Sequence, residues 1–296
     1  MIPFTLRQLT YFDAIAATGS LAAAAERSNV SASALALAID ELERITGMRL
    51  LVRRKGKGVI LTAAGERVLA QARNVLTEAE VLREIVTDST QKLVGAFTLG
   101  CYPTLSPFYF PGALQHFTRA HPELDLTLTE GTGNQLVRLM LQGGLDAAIL
   151  YDADVPPEVT FNPIRKVTPA IVLPKAHPLA RKSRLSLHAL ADEPYFQFDM
   201  PPSRTHADRI FEWVGVTPNT RMMSSNFEML RCLIGRELGY TVMFQRPVAE
   251  QTYDGGDLAI IEIEDDLPDN FIGIAWPVKS PRSAKHAAVL DYFQSL

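Results

Sequence analysis

The stretch "VSASALALAIDELERITG", Val30 to Gly47, decides how the first third of the chain is read. Leu35, Ala38, Ile39 and Leu42 recur at three- and four-residue steps, which makes one inward helical stripe. Ser31 stands where an N-cap belongs. The opposite face carries Ser31, Ala32, Ser33, Ala36, Leu37 and Asp40, small and apolar groups rather than long hydrogen-bond donors. What such a face is for depends on its neighbours.

Upstream, "FTLRQLTYFDAIAATGS" places Leu6, Leu9, Phe12, Ile15 and Ala16 on a second stripe. Thr5 can cap that helix, and Gly19 can end it in a left-handed conformation. Ser20 then caps a short helix, "LAAAAERS", and a turn at Ser28-Asn29-Val30 leads into the third, running to about Ile45. Two short helices joined by a tight turn and braced by another form a helix-turn-helix.

Downstream, "MRLLVRRKGKGVILT" reads as two short strands, Leu50 to Arg54 and Val59 to Leu61, around a Lys-Gly-Lys-Gly turn. This hairpin is a wing. Between Arg44 and Lys57 all charged residues are basic, although the whole chain has a formal charge of -4. Arg53, Arg54, Lys55 and Lys57 are therefore expected beside the phosphate backbone, where they release counterions. The competing reading is a merely solvated face.

From Thr62 to about Thr90 a single long helix is expected, with Val68, Leu69, Ala72, Val75, Leu76, Ala79, Leu82, Ile85 and Val86 along one stripe. A winged domain has no core to cover so long a stripe, so a second copy of the chain is the expected partner. Two-fold symmetry then implies a partly palindromic operator in double-stranded DNA. Packing against its own chain is the alternative.

The pieces "LRQLTYFDAIAATGSLAAAAERSNVS", "IDELERITGMRLLVRR" and "GVILTAAGERVL" closely resemble the LysR-type bacterial transcriptional regulators over most of residues 4–70. In that family the reading helix usually begins Val-Ser-Gln-Pro-Ala-Leu-Ser-Arg. Here the matching residues are Val30-Ser31-Ala32-Ser33-Ala34-Leu35-Ala36-Leu37, without the Gln, the Pro or the later Ser-Arg pair. Those long donors suit base edges, so weak direct readout is expected, with specificity leaning on thymine contacts, DNA shape and half-site spacing. A module that only dimerises is the rival reading.

After Gln91-Lys92 strands alternate with helices: "GAFTLGCY", "LDLTLTE", "LDAAILY", "AIVLP", "PYFQF", "RMMSS", "YTVMF" and "LAIIEI" read as strands. "FIGIAWPV" precedes a last helix, "SAKHAAVLDYFQSL". This half is similar to the effector-binding region of the same family, itself similar to periplasmic binding proteins. The resemblance implies an α/β multi-domain chain: a winged helix-turn-helix over 1–61, a linker and dimerisation helix over 62–92, and an effector domain over 93–296. Its first subdomain would take 93–165 and 267–296, and its second 166–266.

Ligands of open α/β sheets lie beyond the carboxyl ends of strands, where helix amino-termini attract carboxylates. Four such turns qualify. "CYPTLSP" supplies Tyr102, Thr104 and Ser106; "EGTGNQ" supplies Gly131, Thr132 and Asn134; "FDMPPSRTH" supplies Phe198, Ser203 and Arg204; "SSNFE" supplies Ser225, Asn226 and Phe227. By resemblance, the hydroxyl just after the first strand is an effector contact, which maps to Thr104. Arg204 is the only cation in these turns and the candidate partner of an acidic group. A plain helix cap competes for Ser225 and Asn226, and solvent exposure for Arg204.

An ordinary globular composition, 47% apolar and 21% charged, suits a cytoplasmic protein, and no run of ~18 apolar residues offers a membrane span. Cys101 and Cys232, far apart and in different contexts, read as two ordinary buried thiols rather than a redox pair. The six histidines form no metal-ligand spacing, and no cofactor is expected. An enzyme or a solute-binding protein on the same fold is the disfavoured alternative: there is no G-x-S-x-G elbow or H-E-x-x-H helix, and "GTGNQL" is only a truncated dinucleotide fingerprint. The reading is a dimeric or tetrameric regulator that answers to a small, acidic effector and recruits RNA polymerase.

Overall fold

Caps start and stop the first three helices of this computed structural model, which describes residues 3–54, 58–87, 92–280 and 282–296. Helix α1 (Leu6–Thr18) opens with a reciprocal pair: Gln8 N donates to Thr5 Oγ1 at 3.2 Å, and Thr5 N donates to Gln8 Oε1 at 2.8 Å. It ends at Gly19, with φ +63°. Ser20 caps α2 (Leu21–Arg27), and Ser31 caps α3 (Ala32–Thr46), which stops at the left-handed Gly47. Leu9, Phe12, Ile15, Leu35, Ile39 and Leu42 turn inward and form one core with Leu50.

The wing follows as β1 (Leu51–Arg54) and β2 (Gly58–Leu61), antiparallel with Leu51 opposite Leu61. It is pinned from both sides. Leu50 N and Leu51 N donate to Glu43 Oε1 at 2.7 and 3.0 Å, while Val59 N donates to Gly19 O at 2.8 Å. A Cβ on Gly58 would stand 2.4 Å from Gly19 O, so the hairpin approaches the α1–α2 turn only because this position lacks a side chain. Lys55 and Lys57 lie outside the described residues, as do the side chains of Arg53 and Arg54.

Helix α4 (Ala63–Thr87) begins where Gly65 N donates to Thr62 Oγ1 at 2.9 Å. Its stripe is divided rather than covered in one way. Leu69 and Ala72 are buried in the trihelical core and Val68 and Leu76 pack on it, but Val75 and Leu82 are exposed. Ile85 and Val86 have side chains outside the described residues. Arg73 Nε donates to Asp13 Oδ1 at 2.6 Å and ties the helix to α1.

The remaining chain runs β3 (Gly95–Cys101), α5 (Ser106–Ala120), β4 (Leu124–Glu130), α6 (Gly133–Leu141), β5 (Ala147–Tyr151) and β6 (Val159–Lys166). It continues through β7 (Ala170–Pro174), β8 (Arg184–Leu185), β9 (Pro194–Phe198), α7 (Ser203–Val214), β10 (Asn219–Ser224), α8 (Phe227–Gly235), β11 (Thr241–Met243) and β12 (Leu258–Ile263). It closes with β13 (Phe271–Pro277) and α9 (Ala284–Gln294). One sheet has the order β4-β3-β5-β13-β6; another has β11-β7-β12-β8, with β9 and β10 as a separate parallel pair. The chain passes between the sheets twice, and the two passages meet where Val167 N donates to Asn270 O at 2.8 Å.

Strand β6 is absent from the expected elements. Pro163 interrupts its pattern, and an edge strand that pairs only with β13 tolerates a residue without an N–H. Helix α9 in turn reaches α4. The buried Lys285 Nζ donates to Glu80 Oε2 at 2.7 Å and to Ala96 O at 3.1 Å.

Candidate functional site

On the DNA side, Ser31, Ala32, Ser33 and Leu37 are exposed and Ala36 is half-buried, all at the start of α3. The hydroxyl of Ser31 is already engaged. Its Oγ accepts from Ala34 N at 3.1 Å and pairs with Ser33 Oγ at 3.0 Å. Leu37, 69% exposed, is the most prominent group on this face. The surface thus offers an apolar touch and few donors.

Beyond the carboxyl end of β3, Thr104 faces α7 and the exit of β11 across a narrow cavity of about 10 Å³. Thr104, Phe198, Ser203, Phe227, Phe244 and Gln245 line it, together with Ala207, Val242 and Met243. So small a space holds roughly one water molecule. Thr104 Oγ1 is buried there and meets no partner at hydrogen-bonding geometry among the described residues, although the Tyr151 hydroxyl is its neighbour. Leaving a buried hydroxyl unpaired costs about 1–3 kcal/mol.

Tyr102, just after β3, and Tyr151, at the end of β5, meet groups that follow β9 and β11. Tyr102 is buried and its hydroxyl donates to Met200 O at 2.9 Å; burial pushes that phenol up to about 12. Gln245 Nε2 donates to the Tyr151 hydroxyl at 3.4 Å, and burial raises the Tyr151 phenol well above its ordinary range. Both phenols stay protonated at neutral pH, so the bridges carry no charge.

The structure brings Thr104, Phe198 and Ser203 together and sets Tyr102 beside them. Other expected contacts lie apart from this cavity or already have partners. Arg204 pairs with Asp199 at 2.8 Å and Asp208 at 3.7 Å on the exposed flank of α7, so its charge is already matched. Ser106 hydrogen-bonds to Glu130, and Asn226 Oδ1 accepts from Met229 N at 2.9 Å as the cap of α8. Ser225 is exposed beside it, and Gly131 and Thr132 lie outside the cavity lining, where Thr132 N donates to Gln135 Oε1 at 2.9 Å.

Gln245 and Phe244 are lining residues that the sequence patterns do not single out. They follow β11, a strand exit like the four turns above, and that position is the available signal. Cys101 is buried, with its thiol raised far above the usual range by burial, whereas Cys232 is only half-buried and turns Sγ toward Glu228 Oε1 at 4.0 Å. Among the described residues no cluster of His, Cys, Asp and Glu is placed to hold a metal. No helix there is long and apolar enough to cross a membrane.

The comparisons with known proteins agree in both halves. Residues 6–66 match the bacterial regulatory helix-turn-helix of the lysR family, and residues 90–296 match the LysR substrate binding domain. The HTH-type transcriptional regulator YvbU of Bacillus subtilis is 28% identical over 240 residues, covering 81% of each chain. A hydrogen peroxide-inducible genes activator of Haemophilus influenzae is 28% identical over 241 residues, covering 80% of this chain and 79% of its own. Among solved structures, HinK, a LysR family transcriptional regulator of Pseudomonas aeruginosa, superposes with a TM-score of 0.66 at 28% identity over 99% of this chain and 98% of that one. With a helix-turn-helix at one end and a substrate-binding fold over the rest, the chain belongs to the LysR family of transcriptional regulators.

Proposed function

We propose that this regulator binds DNA as a symmetric pair through α3 and the wing, and that a small carboxylate entering the Thr104 cavity resets the placement of its two sheets. The orphaned Thr104 Oγ1, buried between the sheets, is the observation that carries the reading. A buried polar group with no partner among the described residues is explained by a ligand that pairs it. The amino-terminus of α7 supplies the preference for an anion. No side chain caps it, and Ser203, its first residue, lines the cavity. With Arg204 already paired, helix N–H groups and hydroxyls take over the role expected of that cation.

Self-association is supported by the uncovered flank of α4. Val75, with Phe4, Met48 and Val68, lines an apolar depression of about 300 Å³, and Leu82 extends the exposed stripe. A division at 1–61, 62–92 and 93–296 belongs to this reading, and the order of wing, long helix and sheets supports it. A cavity this narrow must widen to admit its ligand, and only a ligand with different affinities for the wide and narrow arrangements shifts their balance. Polymerase recruitment from a cytoplasmic operator completes the proposal.

A thermal-shift titration of the full chain with acetate, succinate and benzoate tests it. A carboxylate present at ~100 times its Kd stabilises the folded state by about 2.7 kcal/mol. Thr104→Val should abolish that shift, retain operator binding, and raise the stability of the unliganded chain. A variant that responds like wild type ends the assignment of Thr104. A full chain that stays monomeric and ignores its promoter at low ionic strength ends the larger reading.

A further inference from the structure

A second cavity, about 660 Å³, opens along a neighbouring face of α7 and spans both passages of the chain between its sheets. Its floor holds two polar groups. His206 is only 5% exposed and sits edge-on to Tyr151, with ring centres 5.1 Å apart. Asn270 Nδ2 donates to His206 Nδ1 at 3.4 Å, and Asn270 Oδ1 is buried without a partner among the described residues. A buried acceptor of this kind calls for a donor.

The rim has an uneven charge. Asp269 is matched by Lys166, while Asp152, Glu212 and Arg209 enter no ion pair among the described residues. Two carboxylates therefore face one guanidinium, and one negative charge is left over. Trp213 adds an aromatic surface that is 66% exposed yet held in place, because its Nε1 donates to Asp266 O at 3.1 Å. Ile210, Phe244 and Pro268 make the remaining wall apolar.

We propose that this groove is a second ligand site, separate from the Thr104 cavity, for a monocationic amphipathic amine. The ammonium donates to Asn270 Oδ1 under the field of Asp152 and Glu212, and the apolar body rests on Trp213 and Ile210. Burial, helped by Arg209, pushes the His206 imidazole down to about 4, so no positive charge on the floor opposes the ammonium at neutral pH. Because the groove is walled by both passages, an occupant that fits one placement of the sheets better than another shifts their balance.

The probe is 2-phenylethylamine, titrated into the full chain by calorimetry and by tryptophan fluorescence, with 3-phenylpropanoate as the anionic match. The amine should saturate and the acid should not. Trp213→Ala, at an exposed position that leaves the fold intact, and Asn270→Leu should each weaken amine binding by about tenfold, a change of about 1.4 kcal/mol. Equal binding of the acid, wild-type affinity in both variants, or no saturation by the amine overturns the proposal. None of these outcomes touches operator binding, so the regulator reading stands or falls separately.

Discussion

The start of α3 and the Thr104 cavity treat their hydroxyl groups in opposite ways. Ser31, exposed to water, commits its oxygen to Ala34 N and Ser33, whereas the buried Thr104 oxygen has no partner among the described residues. A satisfied hydroxyl at a helix start explains structure, and about 1 kcal/mol rides on it. An unsatisfied one in a buried cavity is a standing cost that some other molecule can relieve. The difference teaches where to look for recognition in this chain: in the regulatory half among buried orphans, in the DNA half among charges flanking a donor-poor helix.

The largest effect tests the DNA half. Arg53→Ala with Arg54→Ala should flatten the salt dependence of operator binding by about 0.9 log units of slope for every phosphate that the wing no longer neutralises. Binding measured across a salt series decides it, and an unchanged slope would move the electrostatic grip away from the wing.

Next comes the clamp between the halves. Glu80→Gln leaves the buried Lys285 ammonium without its opposing charge. Removing one member of a fully buried pair costs about 3–5 kcal/mol, and the partial exposure of Glu80 lowers this to about 2 kcal/mol. Urea unfolding of the full chain measures the loss. A variant as stable as wild type would mean that α4 does not lean on α9.

A third test extends the contrast to a buried carboxyl. Asp154 Oδ2 is buried and unpartnered among the described residues, against the backbone of Gly133, where a Cβ would come 2.9 Å from Asp154 Cγ. Burial raises this carboxyl to about 7, with Arg209 opposing and Asp152 assisting. The folded state therefore holds its proton more tightly than the unfolded one. That contribution is complete below pH ~4 and is lost as pH rises toward 7. Asp154→Asn should raise the melting temperature at pH 8 and leave it nearly unchanged at pH 4; the same gain at both values would sink the assignment. The smallest effect is Ser31→Ala, expected to cost about 1 kcal/mol in the winged domain while leaving the salt slope alone. A changed slope would make Ser31 a phosphate contact instead of a cap.

Legibility followed locality. The caps Thr5, Ser20 and Ser31, and the left-handed stop Gly19, act within three or four residues of themselves, so each can be read directly and each is found. The β6 edge strand escapes such a reading because its evidence is β13, a partner far along the chain. Arg204 and Asn226 resemble ligand contacts for a related reason: their competitors, Asp208 and Met229 N, lie on neighbouring turns, but which one wins depends on how the helix faces its surroundings.

The order of residues alone settled that a trihelical unit with a basic hairpin precedes an alternating α/β half, because apolar periodicity and capping are properties of neighbouring residues. Only the tertiary structure decided which polar atoms are left over. Thr104, Asp154 and Asn270 become orphans through the approach of segments far apart in the chain, and whether a polar atom ends up paired is set by everything packed around it.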